Sequence, residues 1–341
     1  MSVERFRVRF DWSIILLVAA LLFTSTALLA QDYTIEEYNA YQKAVEDGED
    51  AMIAFILERP ESSLNEYVVG AYVQKLNDYQ AQAQWQKAYE EGKKFLDKVD
   101  TKFIPADNQN RSLILAMTTW AAYNSQHYPE AAEYGLQVYE TKPDTPNLVM
   151  ILARSYLHAG DPDNAVKFGE KYCATVKPEE CFDILPTMMR YYAEKKNWGT
   201  ADKYAKLTVD ALAKAPKPAQ VSESEWKKYT NEETSVAYTI IGRSAFESKK
   251  WAATEKSYGS ALTLVSNNRD RNAEAHYYIG MSRWQQEQID SAIDAFARGV
   301  IQGNTPYRDT CQKQLEKLYR ATHNGSLAGL DELMERVRAG A

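Results

Sequence analysis

The sequence predicts an all-α fold of stacked antiparallel helix pairs, and three observations predict it. Alanine, Leu, Tyr, Glu and Lys dominate the 341 residues, against only 15 Gly and 11 Pro. That composition favours helices joined by short turns. Hydrophobic residues make up 45% of the chain, enough for a continuous core where helices stack. Finally, one spacing of small and aromatic residues recurs along most of the sequence, and such internal repetition marks repeat architectures.

The recurring anchors are Ala88, Ala131, Ala165, Ala201, Thr254 and Ala292. Three residues before each stand Trp85, Tyr128, Pro162, Trp198, Trp251 and Ile289. Four residues after come Gly92, Gly135, Gly169, Ala205, Tyr258 and Phe296, and nine before come Tyr79, Ala122, Tyr156, Tyr192, Ala245 and Arg283. Gly242 and Gly280 lie twelve before the last two anchors, and Pro143 follows Ala131 by twelve. The steps between anchors are 43, 34, 36, 53 and 38 residues. This register resembles the tetratricopeptide repeat, in which Gly or Ala, two aromatics, Ala, Phe and Pro recur over 34 residues. The resemblance runs from about Leu64 to Thr305. It implies a right-handed α-solenoid, a superhelix of helix pairs that cannot bury their apolar faces alone and therefore stack. Small residues are expected to bring the two helices of a pair together, with aromatics in the wedge between pairs. Glycine inside a helix costs about 1 kcal/mol relative to Ala, so its recurrence signals close packing.

Residues 1–30 read as a secretory leader. Arg5, Arg7 and Arg9 precede the apolar run Ile14 to Phe23, which ends in small residues. Cleavage after Ala27 and after Ala30 both remain open, as does an uncleaved anchor, since Ser13 to Ala30 reaches the lower length for crossing a bilayer. Residues 31–63 follow as a helix pair over Ile35 to Val45 and Met52 to Leu57, closed by Pro60. Six repeats occupy 64–305. Insertions interrupt them near 100–111, around Pro105, and near 214–231, where Pro216 and Pro218 stop a helix and a short helix over Glu223 to Asn231 is expected. Two capping helices, Pro306 to Ala321 and Leu327 to Val337, fill 306–341 around an Asn324–Gly325 turn.

Beyond the leader, 37 Lys and Arg face 45 Asp and Glu. An acidic chain does not attract phosphate backbones overall, which argues against nucleic acid as a partner. Membrane contact is expected only with an uncleaved anchor. No metalloprotease, hydrolase, Walker or dinucleotide motif is present. His127, His158, His276 and His323 sit singly, each in the pattern of a structural residue. Catalysis, a metal and a cofactor are therefore not expected. Cys173, Cys181 and Cys311 form no C-x-x-C pair. Cys173 and Cys181 can bridge in an oxidising compartment, or all three are partly buried free thiols.

In tetratricopeptide repeats the first helix of each pair lines a concave groove. The resemblance places the ninth repeat position eleven residues before each anchor, at Asn77, Trp120, Arg154, Arg190, Arg243 and Met281. The twelfth position includes Tyr123, Phe246 and Trp284. The candidate partner-binding residues are thus Asn77, Trp120, Tyr123, Arg154, Arg190, Arg243, Phe246 and Trp284. Guanidinium groups bind carboxylates bidentately, and aromatics cover the flanking apolar atoms, so a protein or peptide partner with acidic segments fits. Some members of the family clamp a C-terminal carboxylate with Lys, Asn and Arg. Asn77 matches one such position, but Val73 at the fifth position of the first repeat lacks the lysine. The competing reading is internal pairing, with Asp183, Glu194 and Glu247 near enough in the pattern. The expectation is an exported scaffold in the periplasm or envelope of a Gram-negative-type bacterium. A structural subunit using end or edge contacts is the alternative, and an enzyme built on the solenoid a remoter one.

Overall fold

The computed structural model describes residues 33–340, apart from 142, 144, 145 and 266, and the predicted leader lies outside the described residues. Among the described residues there are sixteen α-helices and no strand. They are α1 Ile35–Asp47, α2 Glu49–Glu58, α3 Asn65–Ala81, α4 Trp85–Lys98, α5 Gln109–Asn124, α6 Tyr128–Thr141, α7 Pro146–Ala159 and α8 Pro162–Cys173. A single 3-10 turn at Pro178–Glu180 leads to α9 Leu185–Glu194, α10 Trp198–Lys214, α11 Glu223–Glu247, α12 Trp251–Leu264, α13 Arg269–Gln285, α14 Ile289–Val300, α15 Arg308–Thr322 and α16 Leu330–Ala339. The helices gather into two compact units, one ending at Phe168 and one beginning at Gly169, with the boundary inside α8.

The repeat register reappears as geometry. Five residues before each anchor stands a left-handed residue: Ala83, Gln126, Gly160, Lys196, Lys249 and Glu287, with φ between 50° and 80°. The next residue donates its N–H across the turn to the carbonyl nine before the anchor. Gln84 reaches Tyr79 at 2.8 Å, Asn197 reaches Tyr192 at 2.9 Å, and the other four turns repeat the bond. This is the Schellman closure, which satisfies carbonyls left bare where a helix stops. The anchors themselves are at most 1% exposed. Helix starts are capped where the sequence offers Ser, Thr or Asn: Thr34 on α1, Asn108 on α5, Asn197 on α10, Asn268 on α13. Ser222 and Glu225 form a reciprocal capping box on α11.

Two expectations are corrected. The segment Glu223 to Asn231 is no separate helix. It forms the first turns of α11, which runs unbroken for 25 residues, because nothing between Ser222 and Ser248 interrupts its hydrogen bonds. The roles of glycine and aromatic also differ from those expected. A Cβ on Gly280 would stand 2.7–2.9 Å from three ring atoms of Phe296, and one on Gly242 would meet the Tyr258 ring. These rings therefore fill the space within a pair. Gly92 and Gly135 instead admit Thr118 and Leu152, which belong to the following pair.

The first unit is built around Met52, Phe55, Ile56, Val68, Tyr72, Leu76, Phe95 and Ile114, with the Tyr72 and Phe95 rings 4.9 Å apart. In the second, Phe296, Leu315, Leu318, Leu330 and Met334 seal the C-terminal helices. Tyr258 and Tyr278 stack further in, at 5.2 Å.

Candidate functional site

Candidate residues in the first unit are held by packing. Trp120 and Tyr123 share α5 with ring centroids 6.3 Å apart, and Tyr123 meets Tyr128 edge-on. Asn77 is half-buried on α3. Three residues on, Gln80 Nε2 donates to the Met117 carbonyl at 2.7 Å and ties α3 to α5. Arg154 on α7 is only 3% exposed. A guanidinium at that depth belongs to the interior of the unit, so the expected solvent-facing role at Arg154 is withdrawn.

The second unit carries a richer arrangement on α9, α11 and α13. Arg190 donates through Nη2 to Glu233 on α11 and through Nη1 to the Pro186 carbonyl at 3.3 Å. Arg243 donates through Nε to Glu247 at 2.7 Å, and its guanidinium lies over the rings of Tyr278 (4.6 Å) and Trp198 (5.3 Å). Phe246 packs edge-on against the same Tyr278, at 4.9 Å. Trp284 lies apart from this group and takes the Lys317 ammonium over its ring at 4.8 Å. Arg190 and Arg243 each pair internally with an acid, as in the competing reading of the sequence. Of the acids considered for pairing, Glu247 pairs with Arg243, and Glu233, which the repeat pattern did not single out, pairs with Arg190.

Sequence reasoning missed Glu233, Arg271, Glu274 and Tyr307. Burial raises the Glu274 pKa, opposed by Arg243, by a Tyr258 hydroxyl that donates at 3.4 Å and by Arg271. Burial and Glu274 together hold the Tyr258 and Tyr307 hydroxyls protonated, against the pull of Arg243. Burial, then the nearby Arg190, lowers the pKa of Arg271, while Glu232, Glu233 and Glu274 oppose that shift. Carboxylates and guanidinium groups therefore alternate across three first helices with tyrosines between them. Reading Glu223–Glu247 as one helix would have brought Glu233 into view, ten residues before Arg243. Arg271 and Glu274 precede the part of α13 where the repeat pattern carries a signal.

Cys173 and Cys181 form a disulfide with Cα atoms 5.9 Å apart, fastening the end of α8 to the segment before α9. Cys311 is free and buried, its thiol pushed up to about 12 by desolvation. Among the described residues no group of three or more His, Cys, Asp or Glu could hold a metal, and no helix is long and apolar enough to cross a membrane.

Residues 119–178 and 241–308 match the family described as Tetratricopeptide repeat. No curated protein matches the chain. Among solved structures the chain is similar to a crystal structure of MamA, at 13% identity over 56% of this chain and 91% of that one, with a TM-score of 0.38. A tetratricopeptide repeat protein from Parabacteroides merdae is similar at 12% identity, covering 83% of this chain and 95% of that one, with a TM-score of 0.32. Yeast Tom70 is similar at 12% identity, covering 89% and 62%, with a TM-score of 0.35. Likenesses of this size carry no argument about function.

Proposed function

We propose that this chain, which belongs to the tetratricopeptide repeat family, is an exported scaffold that holds a protein or peptide partner without catalysing a reaction. The observation that carries the reading is the surface on α9 to α11, where Arg190, Arg243, Phe246 and the Trp198 ring beneath Arg243 offer paired charges beside aromatic faces. A partner with acidic segments would exchange with Glu233 and Glu247 for the guanidinium groups, and the rings would cover its apolar atoms. Because each arginine already has an internal acid, such a partner gains specificity and register more than raw affinity. Export to the periplasm or cell envelope is supported by the basic and apolar composition of residues 1–30. The Cys173–Cys181 disulfide suits an oxidising compartment.

The test is capture from the envelope fraction by wild type and by the double variant Arg190→Ala/Arg243→Ala, with thermal melts alongside. Loss of two charge-assisted contacts of about 1.5–3 kcal/mol each is expected to reduce capture at least tenfold with little change in melting. Unaltered capture with lowered stability would make these residues internal ion-pair partners only.

A second reading has its own observation. Among the described residues, the exposed large hydrophobic side chains, Ile35, Tyr38, Leu57 and Tyr67, lie on α1–α3. Apolar groups gathered on the first helices of a unit suit end contacts in an envelope assembly. Replacing Ile35 and Tyr67 with Ser would abolish such an assembly in sedimentation velocity and leave capture by the arginine surface intact.

A further inference from the structure

At the start of α13, a cleft of about 600 Å³ is lined by Arg269, Arg271, Asn267, Asn268, Asn304 and Glu232. We propose that this cleft is a binding site for a single carboxylate group. Arg271 Nη1 is shut off from solvent and has no hydrogen-bond partner among the described residues. No carboxylate among them forms an ion pair with Arg271. Thr305 Oγ1, next in sequence to Asn304, is buried and equally unpartnered. Buried polar groups nearly always find a partner, and a charged group left without one is costly. An unpartnered guanidinium nitrogen on a residue that lines a cleft calls for an acceptor from outside the chain.

The surroundings narrow its chemistry. Arg269 Nη1 lies 4.0 Å from where a Cβ on Gly303 would stand, which sets its guanidinium against the turn between α14 and α15. Two guanidinium groups and the amides of Asn267 and Asn304 supply donors around one opening. Glu232 and Asp270 also line it. A doubly charged phosphate would meet both carboxylates, whereas a planar monoanion matches the guanidinium fork with less repulsion. The backbone at the helix start does not supply the recognition, because Asn268 Oδ1 already accepts from Arg271 N at 3.1 Å. Side chains do. The carboxylate comes from a polypeptide C-terminus or from an Asp or Glu side chain. That choice of source rests on the scaffold reading above, and the carboxylate chemistry does not.

Isothermal titration of the purified protein decides the matter with three probes: acetyl-pentaalanine with a free C-terminus, its C-terminal amide, and acetyl-Ala-Ala-Glu-Ala-Ala-amide. Saturable binding of the first identifies the chain terminus, and binding of the third identifies an acidic side chain. The uncharged amide is expected to give no heat of binding. Arg271→Met and Arg269→Met should each weaken the bound probe at least tenfold, and Asn304→Leu severalfold. The NMR signal of the Arg271 Nε–H group should shift with the same saturation curve. Equal binding of the uncharged amide, tighter binding of inorganic phosphate, no saturation with either acidic probe, or unchanged affinity in the arginine variants would each overturn the site. Should Arg271→Met fail to fold, Arg269→Met and Asn304→Leu decide alone. Neither Arg190 nor Arg243 is altered here, so the outcome is separable from that of the capture experiment.

Discussion

The two units are built from the same helix pair but satisfy their buried polar groups differently. Several of the deepest donors in the first unit meet main-chain carbonyls, while the half-buried Tyr79 hydroxyl donates to Glu49. The Tyr72 hydroxyl donates to Glu91 O at 2.8 Å, Thr118 to Ile114 O at 2.6 Å, and Asn65 Nδ2 to Arg59 O at 2.8 Å. The second unit uses such carbonyls too, Thr208 to Tyr204 O and Ser235 to Ala261 O, and adds more carboxylates that join helices. Glu170 accepts from both Tyr192 and Tyr204 at 2.8 Å, Glu233 from Arg190, and Glu255 from Arg283 at 2.9 Å. A carbonyl acceptor has no charge to titrate or screen. A carboxylate responds to pH and salt and can change partners. The second unit thus carries the adjustable surface, and the first reads chiefly as packed scaffold around Tyr72 and Phe95.

The largest expected effect compares one close helix contact in each unit. Gly280→Val drives a side chain into the Phe296 ring, which is fully buried and cannot yield. A loss of about 3 kcal/mol is expected from overpacking of this kind. Gly135→Val meets Leu152 and Thr119 side chains at 3.0–3.5 Å, which can rotate, and about 1 kcal/mol is expected there. Thermal and urea melts compare the two variants. Equal losses would erase the distinction.

Next in size is pH. His276 on α13 has its pKa lowered to about 4, chiefly by burial and then by Arg298. Below its unfolded value near 6.5 the unfolded chain takes up a proton that the folded chain refuses. Stability is therefore full above that pH and falls as the pH drops toward 4, by about 2 kcal/mol at pH 5. Glu274, raised by burial, acts in the opposite sense and is relieved as the pH falls, so the wild-type profile alone is a sum. Subtracting the profile of His276→Gln isolates the imidazole. An unchanged pH dependence in that variant would remove His276 as the cause.

The smallest effect concerns the arginine surface. Arg190 is 40% exposed and Glu233 16% at the side chain, so solvent screens much of their attraction. A double-mutant cycle with Arg190→Ala and Glu233→Ala should give a coupling of about 1 kcal/mol, falling in high salt. The cross-helix bond from Gln80 to Met117 O serves as the control in the first unit: Gln80→Ala should show no such salt dependence. Salt-insensitive coupling at Arg190 would break the contrast between the units.

The chain's repeat register was legible in its sequence because it is a local property. Anchors such as Ala88, Ala201 and Ala292 must be small wherever two helices touch, and caps such as Asn197 and Ser222 act within three residues of themselves. The capping box at Ser222 was present in the sequence too. The left-handed turns at Ala83, Gln126, Lys196, Lys249 and Glu287 were not legible. Such a conformation usually calls for Gly or Asn, and here the Schellman bonds and the packing of the next helix impose it on other residues. The candidate site was half legible. Repeat position identified Arg190, Arg243 and Phe246, but it also selected Arg154, whose depth depends on the helices around it.

Sequence by itself therefore determined the helix pairs, their order and the positions where backbones meet, since periodicity and side-chain size act over one or two turns. Tertiary structure alone decided which charges meet. Arg190 and Glu233 are 43 residues apart, Glu170 joins hydroxyls from two further helices, and Arg271 Nη1 is left at a cleft without a hydrogen-bond partner among the described residues. Long charged side chains choose partners by rotamer and by the depth of neighbouring helices, and neither quantity is written in the spacing of the residues themselves.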